Sequence, residues 1–182
     1  MTDVFLERSL NPPRAMRELV AMARAPVDCF ALHRVIWCES LLGTDGRQRV
    51  ARMVCRFQSP DVESARIALR QAGADVRVLW EGTVHEAPTR QAGAPDGANV
   101  LVERSFAAPV TVAQIQTLED AGAGCLRSHR VRFVRTYFSR DGRRMLCLYH
   151  APDTESVRLA QRQAGMPLER VWRFRPVRAD SA

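Results

Sequence analysis

Leu101-Val102-Glu103-Arg104-Ser105-Phe106 restates Phe5-Leu6-Glu7-Arg8-Ser9-Leu10 at an offset of 96 residues. The same offset carries Cys29 onto Cys125, His33-Arg34-Val35 onto His129-Arg130-Val131, and Asp45-Gly46-Arg47 onto Asp141-Gly142-Arg143. Beyond that turn the offset becomes 92. Cys55 falls on Cys147, Ser59-Pro60-Asp61 on Ala151-Pro152-Asp153, Arg70-Gln71-Ala72-Gly73 on Arg162-Gln163-Ala164-Gly165, and Trp80 on Trp172. Self-similarity at a fixed period marks a repeated supersecondary unit. The chain of 182 residues therefore reads as one unit written twice, over residues 1–86 and 100–178, with a short tail at 179–182. Residues 87–99 between them are rich in Pro, Gly and Ala without apolar periodicity, and read as a linker.

Each copy predicts the same order of elements. Val4 to Leu10 alternates as a strand does, and Met16, Leu19, Val20 and Ala23 have helical spacing within a helix expected over Pro13 to Arg24. His33 to Leu42 and Arg49 to Phe57 are β-rich runs on either side of Thr44-Asp45-Gly46, an Asp-Gly hairpin signal because such turns need positive φ. Ser59-Pro60-Asp61 supplies an N-cap, a first-turn proline and an early acid for a helix whose stripe Val62, Ala65, Leu69 and Ala72 stops at Gly73. Asp75 to Trp80 closes the copy as a strand. The order βαββαβ is the ferredoxin-like plan, so the expected fold class is α+β: two ferredoxin-like repeats forming an intrachain pseudo-dimer of the dimeric α+β barrel type. In that topology the first strand is central, between the third and the fourth.

Composition removes several function classes. Apolar residues make up 46% of the chain, enough for a core, which argues against disorder. The net charge of +7 comes from 27 cationic residues that are all arginine. They are dispersed, and an all-arginine complement is what a GC-rich genome produces, so a solvated surface is favoured over a nucleic-acid stripe. No 18-residue apolar run occurs, and the N-terminus reaches a charge before a signal-peptide h-region could form. The expected setting is cytoplasmic and bacterial, with no membrane partner. Five scattered cysteines, an odd number, fit reduced thiols better than a disulfide framework.

Val102-Glu103-Arg104-Ser105-Phe106, Asp141-Gly142-Arg143-Arg144-Met145-Leu146-Cys147-Leu148-Tyr149 and Ala151-Pro152-Asp153 resemble a bacterial domain-of-unknown-function family of small ferredoxin-like proteins often labelled nickel-binding. The second copy carries the resemblance along nearly its whole length. The first carries it through Leu6-Glu7-Arg8-Ser9, Asp45-Gly46-Arg47, Cys55 and Pro60-Asp61. The resemblance implies a homodimeric fold, here brought into one chain, and nickel or another divalent transition metal as the ligand. Where the family pattern places a His before a Ser-Tyr pair, this chain has Arg135 before Thr136-Tyr137 and Glu39 before Ser40-Leu41. A guanidinium stays protonated and does not ligate metals.

The candidate metal ligands are Glu7, Glu103, His33, His129, His150, Cys29 and Cys125. Cys29 with His33, and Cys125 with His129, place a thiol and an imidazole four residues apart, a pairing suited to nickel or zinc. A gap-filling Cys and a helix-capping His have the same spacing. Cys55 and Cys147 sit among Met53, Phe57, Met145 and Tyr149 at period two and read as core thiols. Val4, Leu6 and Leu10 face one side of the first strand, so Phe5, Glu7 and Ser9 face the other, as do Leu101, Glu103 and Ser105. A shielded carboxylate there needs a partner: Arg56, His150 or a metal. His85 stands alone near the linker and is expected to be exposed.

No phosphate-binding glycine loop, Gly-x-Ser-x-Gly elbow or His-Glu-x-x-His is present. The leading functional expectation is a non-catalytic, nickel-type metal-binding protein, monomeric as a pseudo-dimer or paired further into a homodimer. The alternative is a small-molecule-binding or catalytic α+β barrel of the monooxygenase or isomerase kind, with a small apolar ligand in a cavity lined by Trp37, Phe57, Tyr149 and one His.

Overall fold

The computed structural model describes residues 1–25, 27–44, 49–87 and 97–178. The fold is α+β. In chain order the described elements are β1 (Thr2–Ala15), α1 (Met16–Arg24), α2 (Asp28–Leu32), β2 (Ile36–Thr44), β3 (Arg49–Ser59), α3 (Val62–Gln71), β4 (Val78–Glu86), β5 (Val100–Ser105), α4 (Val112–Ser128), β6 (Arg132–Ser139), β7 (Arg144–His150), α5 (Thr154–Gln163) and β8 (Arg170–Arg178). They form two compact units. One comprises Met1–Gly82 with the segment from Phe174 onward, and the other comprises Thr83–Arg173.

In the first unit β1 lies between β3 and β4, all antiparallel, with Leu6 opposite Cys55 on one side and Leu79 on the other. β2 pairs with β3 and with the end of β8, from Glu39 opposite Arg178 to Gly43 opposite Phe174. Val4, Leu6, Cys55 and Phe57 project from the sheet into a core shared with Ala65, Ala68 and Leu69 of α3. In the second unit β5 lies between β7 and the start of β8, with Val102 opposite Cys147 and Val171, while β6 pairs with β7. Val100, Val102, Cys147 and Tyr149 meet Ile115 of α4 and Val157 and Ala160 of α5. β1 is thus flanked by β3 and β4, and β5 by β7 and β8.

Several boundaries differ from the expectations. β1 extends to Ala15, through a register shift between Ser9 and Arg14, so α1 starts at Met16 rather than Pro13. The late start follows from pairing: Arg14 and Ala15 oppose Val50 and Arg49, and the Arg49 guanidinium donates to the Pro13 carbonyl at 2.9 Å. The first copy also splits its helix. Ala25, the residue before Pro26, has ψ 137, the extended conformation a following proline imposes, and α2 is a separate short turn. The second copy has no proline there and α4 runs unbroken for 17 residues.

The caps of α3 and α5 are Asp61 and Asp153, not Ser59. Each carboxylate accepts the backbone N–H three residues on, from Ser64 and Ser156, at 2.7 Å. Ser59 is the buried last residue of β3. β4 begins at Val78 and continues to Glu86, later and longer than the closing strand expected over Asp75 to Trp80. The second hairpin has the expected chemistry: Gly142 has φ +68, and the Asp141 carboxylate accepts from the Ser139 hydroxyl at 2.6 Å and from the Arg143 amide at 3.0 Å. The first hairpin, Asp45-Gly46-Arg47, lies outside the described residues, as do residues 88–96 of the linker and the tail.

Candidate functional site

Glu7 and Glu103 sit at corresponding places on the two central strands, and each carboxylate meets an indole. Trp80 Nε1 donates to Glu7 Oε1 at 2.7 Å, and Trp172 Nε1 donates to Glu103 Oε1 at 2.7 Å. Glu103 Oε2 also receives Arg170 Nη1 at 3.3 Å. The cause is register. Phe5 is directly opposite Trp80, and Leu101 opposite Trp172, so each tryptophan shares a sheet face with the glutamate two residues along the neighbouring strand. In the first unit the Trp80 ring also stacks on Phe5, with centroids 4.4 Å apart. Tryptophan is thus a partner of both glutamates, beside the Arg56, His150 or metal expected there. The equivalence of Trp80 and Trp172 was the sequence signal for it.

Arg56 meets two carboxylates. Its Nε contacts Asp3 at 2.7 Å and its Nη1 contacts Glu39 at 3.7 Å, and Glu39 also faces Arg178 at 3.6 Å. At the position corresponding to Glu39 the second unit has Arg135, paired with Glu86 at 3.2 Å. The charge is reversed between the copies, and each side chain has an opposite charge beside it.

The Cys/His pairs lie at helix ends. His33 and His129 are the C-caps of α2 and α4, and their backbone N–H groups donate to the carbonyls of Cys29 and Cys125 at 3.1 and 3.3 Å. Each imidazole reaches the following helix, with His33 Nε2 3.0 Å from Gln71 Oε1 and His129 Nε2 2.9 Å from Gln163 Oε1. Cys29 Sγ donates to the Ala68 carbonyl at 3.4 Å. His150 Nδ1 is 2.7 Å from the Gly97 carbonyl oxygen. His85 is half-buried rather than exposed, and its Nε2 is 2.7 Å from Thr83 Oγ1.

A transition-metal centre needs three or more converging ligands. Among the described residues no three His, Cys, Asp or Glu side chains come together. The seven expected ligands form two Cys/His pairs, two tryptophan-bonded glutamates and one histidine beside a backbone carbonyl. They do not make a closed metal centre.

The aromatic residues expected around an apolar cavity lie in or against the cores of their units. Phe57 is buried in the first unit with Trp37 packed against that core, and Tyr149 is buried in the second with Phe133 edge-on at 5.8 Å. Cys55 and Cys147 are buried mid-strand thiols, as expected. Burial pushes the Cys55 thiol up to about 11, against a hydrogen bond from Ser40 Oγ at 3.0 Å.

A polar cluster that the sequence reading passed over lies in the second unit. Val100, Val102 and Arg104 alternate toward the helices, so β5 sends a guanidinium into the same layer as two core valines. Arg104 is 1% exposed. Its Nη2 donates to Gln161 Oε1 at 2.6 Å and to Tyr149 Oη at 3.4 Å, while Nε and Nη1 have no hydrogen-bond partner among the described residues. Cys147, hydrogen-bonded with Thr136 at 3.2 Å, and Glu119 of α4, 3.9 Å from Cys147 Sγ, complete the surroundings. Burial pushes the Glu119 carboxyl up, with Arg104 opposing. Burial raises the Cys147 thiol as well, again against Arg104. At the two offsets the first copy carries Arg8, Ala23, Phe57 and Leu69 in place of Arg104, Glu119, Tyr149 and Gln161. Arg8 is only half-buried, and Phe57 and Leu69 are ordinary core.

Residues 101–173 match the family model described as nickel responsive protein SCO4226-like. SCO4226 from Streptomyces coelicolor A3(2) is similar in structure over 41% of this chain and 91% of that one, with 18% identity and a TM-score of 0.38. TA0507, named as a candidate chlorite dismutase, is similar over 98% of this chain and 95% of that one, with 14% identity and a TM-score of 0.50. A candidate monooxygenase from Lactobacillus acidophilus NCFM is similar over 97% and 94%, with 8% identity and a TM-score of 0.43. A comparison with curated proteins finds no match. No helix among the described residues is long and apolar enough to cross a membrane. The likeness to TA0507 is one of fold, and the sequence match of the second copy is to a family described as nickel responsive.

Proposed function

We propose that this chain is a non-catalytic binding protein of the nickel-responsive kind. It is built as a tandem duplication of a ferredoxin-like unit, residues 1–86 and 100–178 joined by 87–99, that makes a pseudo-dimer within one chain. The observation that carries the functional reading is the match of residues 101–173 to the nickel responsive family model. The duplication is supported by what recurs in both copies: the Glu–Trp hydrogen bond, the aspartate cap and the His–Gln contact.

Of the seven expected ligands, Cys125 with His129 and Cys29 with His33 are the pairs whose spacing puts a thiol and an imidazole on one helix face. Two ligands leave the remaining coordination positions to water, which favours weak, exchangeable binding. Equilibrium dialysis of the full chain against nickel chloride, followed by metal analysis, is expected to find bound nickel that falls in H129A and in C125A. Absence of bound nickel, cobalt and zinc alike overturns the reading.

A further inference from the structure

We infer that the buried cluster around Arg104 is a binding site for a small monoanionic oxyanion of the carboxylate class. This inference stands apart from the metal reading, since Arg104 is not a metal ligand and the Cys125/His129 pair is not among the groups around it.

The argument starts from charge. A guanidinium taken out of water is costly unless it is paired with an opposite charge and its N–H groups are bonded. Arg104 is buried, and its two bonded acceptors, Gln161 Oε1 and Tyr149 Oη, belong to neutral side chains. The carboxylate whose charge acts on it is Glu119, which makes no close ion pair with it among the described residues and contacts Cys147 Sγ. Nε and Nη1 remain without acceptors. Glu119 leaves those two N–H groups unmet, and an acceptor that carries negative charge and meets two N–H groups of a planar fork would satisfy them. A carboxylate does both.

Placement supports the same conclusion. Gln161 on α5 and Tyr149 on β7 hold the Nη2 edge of the guanidinium and so fix its plane. The sheet does not need the cluster, because the first copy keeps the same order of strands with Phe57, Leu69 and Ala23 at the corresponding positions. Glu119 already places a carboxylate beside Arg104, so a monoanion is repelled less there than a dianion.

The test uses the full chain with sodium formate and sodium acetate, against sodium chloride at equal ionic strength, reading thermal unfolding and then calorimetry. Formate and acetate are expected to raise the melting temperature saturably and chloride is not. R104K keeps the charge but loses the fork and should weaken binding about tenfold or more, R104L should abolish it, and E119Q should tighten it. If R104L does not fold, R104K decides. The inference is overturned if neither anion acts beyond chloride, or if R104K and R104L both respond as the unmodified chain does. It is overturned equally if E119Q destabilises the chain and removes all anion response, since Glu119 would then itself be the counter-charge of Arg104.

Discussion

Trp172 donates its indole N–H to Glu103 at 2.7 Å, and Trp80 repeats the bond to Glu7 at the same distance. A carboxylate on the central strand of each copy is held by an aromatic donor from the adjacent strand. A hydrogen bond to a charged acceptor contributes about 1.5–3 kcal/mol, so W172F is expected to lose stability in that range, and W80F likewise. Urea unfolding of the two variants checks this, and a loss below about 0.5 kcal/mol in both would show that the carboxylates find other donors.

Gly122 and Gly124 are two residues apart on α4 and predict opposite outcomes. A Cβ on Gly122 would stand 2.8 Å from Ala164 Cβ at the end of α5, a distance the helices must give way to relieve. G122A is expected to cost about 1–3 kcal/mol. A Cβ on Gly124 meets nothing within 4 Å, and G124A should stabilise by about 0.5–1 kcal/mol through helix propensity. Denaturation midpoints of the two variants, measured side by side, decide it.

Asp61 and Asp153 are held below the usual carboxylate range by the N–H groups of Ser64 and Ser156 that they cap. A carboxyl lowered on folding contributes stability that is complete above its unfolded value, about 3.9, and is lost as pH falls through the lower folded value. Removing both caps in D61A/D153A should therefore lower stability at neutral pH and flatten its acid limb. Melting curves between pH 2 and pH 7 test this, and an unchanged acid limb would count against the caps.

The five cysteines should divide by burial. Alkylation proceeds through the thiolate, and burial raises the thiol values of both Cys55 and Cys147. In the native protein at pH 8, iodoacetamide should modify Cys29 and Cys125 well before Cys55 and Cys147, while urea should make all five react. Peptide mass analysis over time gives the order, and early labelling of Cys147 would contradict the structure.

Much of the fold was legible because its signals are local. Period-two runs, helical stripes and Asp-Gly turns depend on a few neighbouring residues, and the offset between copies exposed the element order twice. What failed locally also had local causes. Pairing of Arg14 and Ala15 with β3 drew β1 past the expected helix start. An aspartate one residue beyond the proline, whose carboxylate reaches the third amide of the helix, took the cap from Ser59.

The candidate site was less legible. Glu7 and Glu103 stood out correctly as residues on the face opposite the helix-packed row, but their partners came from another strand 73 and 69 residues away, through a register that sequence spacing does not carry. In the sequence Arg104 is one letter of a repeated strand motif, and its alternation with Val100 and Val102 places it on the core side. The replacement of Phe57 and Leu69 by Tyr149 and Gln161 was the further signal that the second copy had become polar there.

The sequence alone determined the α+β order and the apolar face of each strand, because these follow from residue type and period. Only the tertiary structure decided which polar groups meet. It set tryptophan against glutamate, histidine against glutamine, and left a buried arginine with two nitrogens unpartnered, because such contacts depend on the register between strands and the seating of helices on the sheet. Those are fixed by packing over the whole unit rather than by any one stretch of chain.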